Sequence, residues 1–337
     1  MSLTLIDISK QIGVSTATIS RVLHDEGNVT PETKKLVLDA LQCNDYHYRP
    51  RRKSAMSKNT DTMLIIAGQL SNPITVAYID SIREALEAHG KQSLVALSSY
   101  SSASEVSFLR YAKESGFAGI FLLNAIENDE LVGLLKKITA PVIFVNRYLR
   151  CMDGNVVTSD NYRCGYLATQ YLAERGHVRI GHFAGPEDSI TCQDRTEGFL
   201  DAMRARGLEI LPQSVFYGSL NYQSGYEFGE MICAMPPEQR FTGVFCTAGL
   251  MAPGMVDALV TGGLTIPEDV SVVISDDANT HTQAAELTAV DQNPHAMGAA
   301  AVELLLERLK NPSQPPRRII YPPILTERGS VRVLTQP

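Results

Sequence analysis

The stretch Ser15-Thr16-Ala17-Thr18-Ile19-Ser20-Arg21-Val22-Leu23 decides how the N-terminal part of this 337-residue chain is organised. Ile19, Val22 and Leu23 recur at i, i+3, i+4 spacing, which gives a helix with one apolar stripe behind a face of small polar residues. Before it, Leu5, Ile8 and Ile12 form the stripe of another helix, with Thr4 as N-cap, and Gly13 stops it. Val14 packs inward and Ser15 caps the second helix. Further on, Thr30-Pro31-Glu32-Thr33 opens a third helix, with Thr at the cap and Pro at the first helical position; it is expected to bury Leu36, Val37, Ala40 and Leu41. The pattern is a helix-turn-helix with a supporting helix. A plain three-helix bundle would show similar stripes, so the exposed chemistry has to separate the two.

That chemistry favours nucleic acid. Ser15, Thr18, Ser20, Thr30 and Thr33 offer hydroxyls and helix N-termini to phosphates, while Thr16, Ala17 and Arg21 share the exposed face. Short side chains permit close approach to the major groove. Arg21 then reaches a guanine O6/N7 pair, a bidentate contact contributing about 1–3 kcal/mol of discrimination. Residues 1–58 carry nine Lys/Arg against six Asp/Glu, a net +3, which leaves −10 for the rest of a chain at −7 overall. A basic end on an acidic body lets only that end favour a polyanion.

The run Leu-Ile-Asp-Ile, then Gly-Val-Ser-Thr-Ala-Thr-Ile-Ser-Arg-Val-Leu, then Val-Thr-Pro-Glu-Thr resembles the headpiece of the LacI/GalR family of bacterial transcription regulators, and the resemblance continues to about residue 330. It implies that Thr16, Ala17 and Arg21 face bases, that Ser15, Thr18, Ser20, His24, Thr30 and Thr33 lie near phosphates, and that Asn28 lies near the DNA. It also implies a homodimer on a pseudo-palindromic operator in double-stranded DNA. Arg49-Pro50-Arg51-Arg52-Lys53 lies in a linker too polar to bury, with Arg51 and Lys53 assigned to DNA. In the family this linker becomes a hinge helix whose leucine wedges into the minor groove. Here two registers place Ala55 or Ser57 at that leucine position. Met56, between them, is the alternative wedge, and a solvated linker stays open as the other reading.

From Thr62 onward, short β-branched runs alternate with amphipathic helices, the signature of parallel α/β layers. One series covers strands at 63–67, 93–97, 119–123 and 142–145, and a second covers 180–184, 215–217, 243–246 and 270–274. The expected fold class is α/β: a three-helix headpiece (1–46), a linker (47–61), and a two-lobed core of parallel sheets like that of periplasmic binding proteins. The N-terminal lobe is expected over 62–159 and 291–319, the C-terminal lobe over 160–290 and 320–337. Ligands of open parallel sheets bind beyond the carboxyl ends of the strands, so the loops there should line a cleft between the lobes.

By the family resemblance, Ile74, Asn146, Arg147, Arg195, Leu220, Asp276 and Gln292 face an effector such as a sugar, a sugar acid or a related molecule. Arg195 offers a planar five-donor fork to vicinal oxygens. The chain departs from the family where Ile74 and Thr75 replace a common aromatic pair, where Leu220 replaces another aromatic, and where Ala248-Gly249 replaces an Asn-Asp pair. The cleft is therefore less suited to a stacked free sugar.

Other classes fare worse. No dinucleotide or phosphate-binding glycine loop, nucleophile elbow or His-Glu-x-x-His occurs, so neither catalytic residues nor a cofactor is expected. A two-lobed α/β binding protein or enzyme without a DNA role is the alternative. Six cysteines without Cys-x-x-Cys or zinc spacing read as buried free thiols, and no metal is expected. His177 and His182 flank a strand and read as structural. No signal peptide opens the chain and no apolar run approaches the roughly 20 residues of a membrane span, so a cytoplasmic, nucleoid-associated protein is expected.

Overall fold

The computed structural model describes residues 5–23, 29–44, 59–276, 282 and 284–334. The chain divides into two units, Met1–Lys58 and Asn59–Pro337. His24, Asn28, Arg51, Lys53 and Met56 lie outside the described residues, as does the side chain of Ser20.

In the first unit, α1 (Leu5–Ile12), α2 (Thr16–Leu23) and α3 (Pro31–Cys43) enclose Ile8, Ile19, Val22, Val37, Ala40 and Leu41. Gly13 takes φ +68°, a left-handed value that ends α1 without a Cβ penalty. The Ser9 hydroxyl donates to the Val14 carbonyl at 2.8 Å and closes the turn. Leu36, expected in this core, is exposed instead, because Val37, Ala40 and Leu41 set the inward face and Leu36 falls about 100° to one side.

The second unit holds two six-stranded sheets. Its chain order is β1 (Asn59–Ala67), α4 (Pro73–Ala88), β2 (Gln92–Leu97), α5 (Ser102–Ser115), β3 (Phe117–Leu122), α6 (Asp129–Leu135), β4 (Val142–Val145) and β5 (Asn155–Ser159) in the first lobe. The second lobe follows with α7 (Asn161–Glu174), β6 (Ile180–Gly185), α8 (Ile190–Ala205), β7 (Val215–Tyr217), α9 (Tyr222–Ala234), β8 (Gly243–Cys246), α10 (Ala252–Thr261), β9 (Ser271–Ser275) and β10 (Thr288–Asp291). Then α11 (Pro294–Lys310) and β11 (Arg318–Tyr321) return to the first lobe and β12 (Ile324–Thr326) to the second. The sheet orders are β11-β5-β4-β3-β1-β2 and β12-β10-β9-β8-β6-β7. All pairings are parallel except β10 with β12. The backbone thus crosses between lobes three times, at 159–161, 291–294 and 321–324.

Two boundaries shift from the sequence-based expectation. Residues 59–61, assigned to the linker, begin β1, and Ile320 and Tyr321 belong to the first sheet, so the last crossing falls after 321. Hydrogen bonding along β11 to β5 carries the strand past the expected break. Of the cysteines, Cys164, Cys192 and Cys246 are buried, but Cys43 and Cys151 are exposed and Cys233 is half-buried. These three sit on helix and turn surfaces, where a short thiol needs no core.

The second lobe is built on a repeated device. Asn161-Tyr162-x-x-Gly165-Tyr166 on α7 recurs as Asn221-Tyr222-x-x-Gly225-Tyr226 on α9. A Cβ at Gly165 would lie 1.9 Å from the Arg195 carbonyl oxygen, and one at Gly225 2.0 Å from that of Met251, so each glycine lets a second helix touch the first at backbone distance. The hydroxyls of Tyr162 and Tyr222 then donate to Asp201 and Asp257 across the two pairs, at 3.1 and 2.8 Å. Gly165→Ala is expected to destabilise the protein by about 3 kcal/mol, because the obstacle is backbone and cannot rotate away. Urea denaturation against wild type measures it, and an unchanged midpoint would contradict the contact.

Candidate nucleic-acid interface and ligand cleft

The polar face of the first unit is assembled by two matching caps. Ser15 Oγ accepts from the Thr18 N–H at 3.1 Å and lies 2.9 Å from the Thr18 hydroxyl. Thr30 Oγ1 does the same for Thr33, at 3.3 and 3.0 Å. In each cap one hydroxyl donates to the other, so that bond leaves one O–H of the pair uncommitted beside a helix N-terminus, where the dipole favours an anion. Thr16, Ala17 and Arg21 are all exposed, opposite Ile19 and Val22, which are buried. A donor-rich rim therefore flanks one face carrying short side chains and a single guanidinium.

In the second unit, the loops after β1, β2, β3 and β4 face those after β6, β7, β8 and β9. Ile74, Asn146, Arg147, Arg195, Leu220, Asp276 and Gln292 all line one small cavity of about 30 Å³ between the lobes. Its floor is charged and buried. Arg195 is 4% exposed; its Nε donates to Asn161 Oδ1 at 2.9 Å, one terminal nitrogen donates to the Thr247 carbonyl, and the other stands 4.0 Å from Asp276 Oδ1. Gln292 donates to Asp276 and accepts from the Tyr78 hydroxyl at 3.4 Å. Burial pushes the Asp276 carboxyl up to about 6, against the pull of Arg195 and Gln292. Asn146 and Asp276 both take left-handed backbone, at φ +69° and +89°. Asn146 Oδ1 and Arg147 Nε are buried without a hydrogen-bond partner, so the middle of the cleft keeps one free acceptor and one free donor.

Above the floor opens a chamber of about 580 Å³ that shares Tyr100, Arg147 and Leu220 with it. Arg150 of the first lobe closes its lip by donating to Asp194 at 2.6 Å and to Gln193 at 3.3 Å, both on α8 of the second lobe.

Several of these side chains escaped the sequence. Tyr100, in the loop after β2, supplies an aromatic face where positions 74 and 75 have none; it stands in no family motif, and only its place after a strand hinted at it. Tyr78 sits on a helical stripe that reads as core. Glu105 lies on α5 with an apolar pattern around it, yet its carboxyl is fully buried beneath the loop 124–127, accepts from the Ile126 N–H at 3.1 Å and keeps one oxygen unpartnered. His182 fits its structural reading: it stacks on Phe245 and Phe199 and bonds Thr196 and the Phe245 carbonyl, and burial lowers it to about 3. Among the described residues no cluster of three or more His, Cys, Asp or Glu is placed to hold a metal, and no helix is long and apolar enough to cross a membrane.

Burial raises Glu105 from 4.5 to about 7, so the native state binds a proton that the unfolded chain has released between those values. Its stabilising contribution is complete below pH 4.5 and lost by pH 7 and above. Glu105→Gln keeps an acceptor for Ile126 and removes the titration. The variant is expected to gain about 2–3 kcal/mol on wild type between pH 4.5 and pH 8. Denaturation at both pH values tests this, and parallel pH profiles would refute it.

Comparison with known proteins agrees with both halves. Residues 4–48 match the family described as bacterial regulatory proteins, lacI family, and residues 169–331 match the periplasmic binding protein-like domain. The chain is 32% identical over 337 residues to the HTH-type transcriptional repressor PurR of Pasteurella multocida (strain Pm70), covering 98% of each. It is 27% identical to the repressor CytR of Escherichia coli (strain K12), covering 98% of this chain and 97% of that one. Among solved structures, the transcriptional regulator CelR in complex with cellobiose superposes with a TM-score of 0.74 at 28% identity, over 98% of this chain and 100% of that one. The lac repressor dimer bound to operator and the anti-inducer ONPF shares the fold, with a TM-score of 0.73 at 18% identity over 98% and 100%.

Proposed function

Because this chain belongs to the lacI family of bacterial regulatory proteins, and is thus a DNA-binding transcriptional regulator with an effector-binding core, we propose that it works as a cytoplasmic homodimeric repressor without enzymatic activity. The observation that carries the DNA half is the face of α2: Thr16, Ala17 and Arg21 exposed over a buried Ile19 and Val22, with a capped helix N-terminus on either side. In this reading Arg21, Thr16 and Ala17 meet base edges in the major groove, and Ser15, Thr18, Thr30 and Thr33 meet phosphates. Two headpieces related by a twofold axis read a pseudo-palindrome. Leu94, Val95 and Leu97 are exposed on the edge strand β2 of the first lobe, and Val260 on α10 of the second, apolar side chains that a second copy would cover.

The effector half rests on the polar floor. A small molecule bridging Asn146 and Arg147 of the first lobe to Arg195, Leu220 and Asp276 of the second binds one lobe closure better than another. It shifts the closure equilibrium only by that difference in affinity. Linkage is reciprocal, so operator alters effector affinity by the same factor.

Selection of bound duplexes from a random DNA pool, followed by titration of the selected site, tests the regulator itself. Arg21→Ala is expected to weaken that site by about 1–3 kcal/mol while binding to random DNA changes little, and to relax preference at one position per half-site. An equal loss on both DNAs would take Arg21 out of base reading.

A further inference from the structure

Resting on the regulator reading above, we infer that the end of the first lobe opposite the cleft is a second DNA-binding surface, one that holds the phosphate backbone flanking the sequence read by α2. The second unit has only five lysines, Lys91, Lys113, Lys136, Lys137 and Lys310. All five fall at one edge of one sheet. Strands β11, β5, β4, β3, β1 and β2 run parallel, so all six start on the same edge and their carboxyl ends, at the cleft, lie on the other. Lys91 immediately precedes β2, Lys113 is in the last turn of α5 before β3, Lys136 and Lys137 follow α6 before β4, and Lys310 ends α11 before β11. Arg317 and Arg318 stand at the start of β11 on this edge.

The charge of the edge opposes that of its surroundings. The last turn of each helix leading into the sheet, the connections and the first strand residues hold eight Lys/Arg against five Asp/Glu, a net +3 in a unit whose net charge is −10. Three of the five carboxylates are paired, Asp61 with Lys91, Glu307 with Arg317 and Glu87 with Arg83. Lys113, Lys136, Lys137 and Lys310 are exposed and take part in no ion pair among the described residues. Arg308 donates to the carbonyls of Gln314 and, at 3.0 Å, of Pro312, which ties down the turn beside Lys310.

Compensation of helix dipoles does not account for this. Cations are favoured at helix C-termini, but the second lobe meets that preference with arginines paired to its own carboxylates: Arg175 to Glu327, Arg204 to Asp201 and Arg206 to Glu174. Its helices α9 and α10 have no basic residue in their last turn, and the lobe has no lysine at all. The first-lobe edge instead presents its charge to solvent. A lysine is a compact charge on a flexible stem, suited to phosphates contacted without regard to sequence. The chain also enters the unit here: Asn59 opens β1, and the residues before it include Arg49, Arg51, Arg52, Lys53 and Lys58. A basic linker sequence thus leads into a basic edge, and the partner that suits both is a polyanion.

Titration of the full chain with two duplexes tests this: the selected site trimmed to its specified positions, and the same site extended by about 10 base pairs of arbitrary sequence on each side. At about 50 mM salt the extension is expected to strengthen wild-type binding about tenfold or more and to steepen its salt dependence. The triple variant Lys136→Gln, Lys137→Gln, Lys310→Gln is expected to bind the short duplex like wild type and to lose the gain from extension. Its salt slope on the extended duplex falls by about 0.9 for each phosphate contact removed. Arg163→Gln, Arg204→Gln, Arg206→Gln takes as many charges from the second lobe and is expected to keep the gain. The inference is overturned if extension adds nothing to wild-type binding, or if the lysine variant keeps the gain, as it would were the edge made for an acidic protein. Equal loss in the second-lobe variant would also overturn it, by reducing the effect to net charge. Failure of the wild-type chain to bind the short duplex counts against the regulator reading, whereas short-duplex binding without a flank effect counts against this inference alone.

Discussion

A guanidinium buried to 4% exposure must be neutralised and hydrogen-bonded, and the groups that answer Arg195 organise the cleft. Asn161 fixes its Nε from the start of α7, Thr247 takes a terminal nitrogen from the loop after β8, and Asp276 supplies the opposite charge from the loop after β9. Gln292 extends the chain of contacts into the second interlobe crossing and reaches Tyr78 on α4 of the first lobe. Four loops and both lobes are therefore tied to one cation. Substituting any one partner would leave a buried charge short of a bond, so the floor holds the two lobes to one another at the base of the cleft.

Besides the floor, the lobes are joined at two sides of the cleft. Three backbone crossings form the hinge side, and Arg150 with Asp194 and Gln193 forms the lip. Arg150 is half-exposed, so this bridge is partly screened and contributes less than its 2.6 Å geometry suggests. The lip is weak where the floor is strong.

Much of this was legible before any coordinates. The caps at Ser15 and Thr30, Gly13 in the turn and the apolar stripe of α2 follow from local rules that tertiary structure had no reason to override. The seven cleft positions came from family resemblance and occupy one cavity. Leu36 misled because an apolar residue beside a helical stripe looks like part of it. β5 and β10 are illegible because short buried strands carry no alternation, β11 and β12 because they are only four and three residues long and half-exposed, and the lobe boundary at 321 depends on pairing between residues more than 150 positions apart. Tyr100, Tyr78 and Glu105 were illegible for a different reason: their importance lies in what surrounds them in space, and a lone tyrosine or glutamate announces none of it.

The repeated helix pairs stiffen the second lobe. At Gly165 and Gly225 the helices meet at backbone distance, and Tyr162–Asp201 and Tyr222–Asp257 lock their outer faces. Close-packed backbones have no side chains to rearrange, so α7 with α8 and α9 with α10 respond to force as rigid pairs. Arg195 and Asp194 are neighbours on α8, one in the floor and the other on the lip. A displacement of α8 at either end of the cleft would therefore carry α7 with it, because their backbones touch at Gly165 and their outer faces are joined by Tyr162 and Asp201.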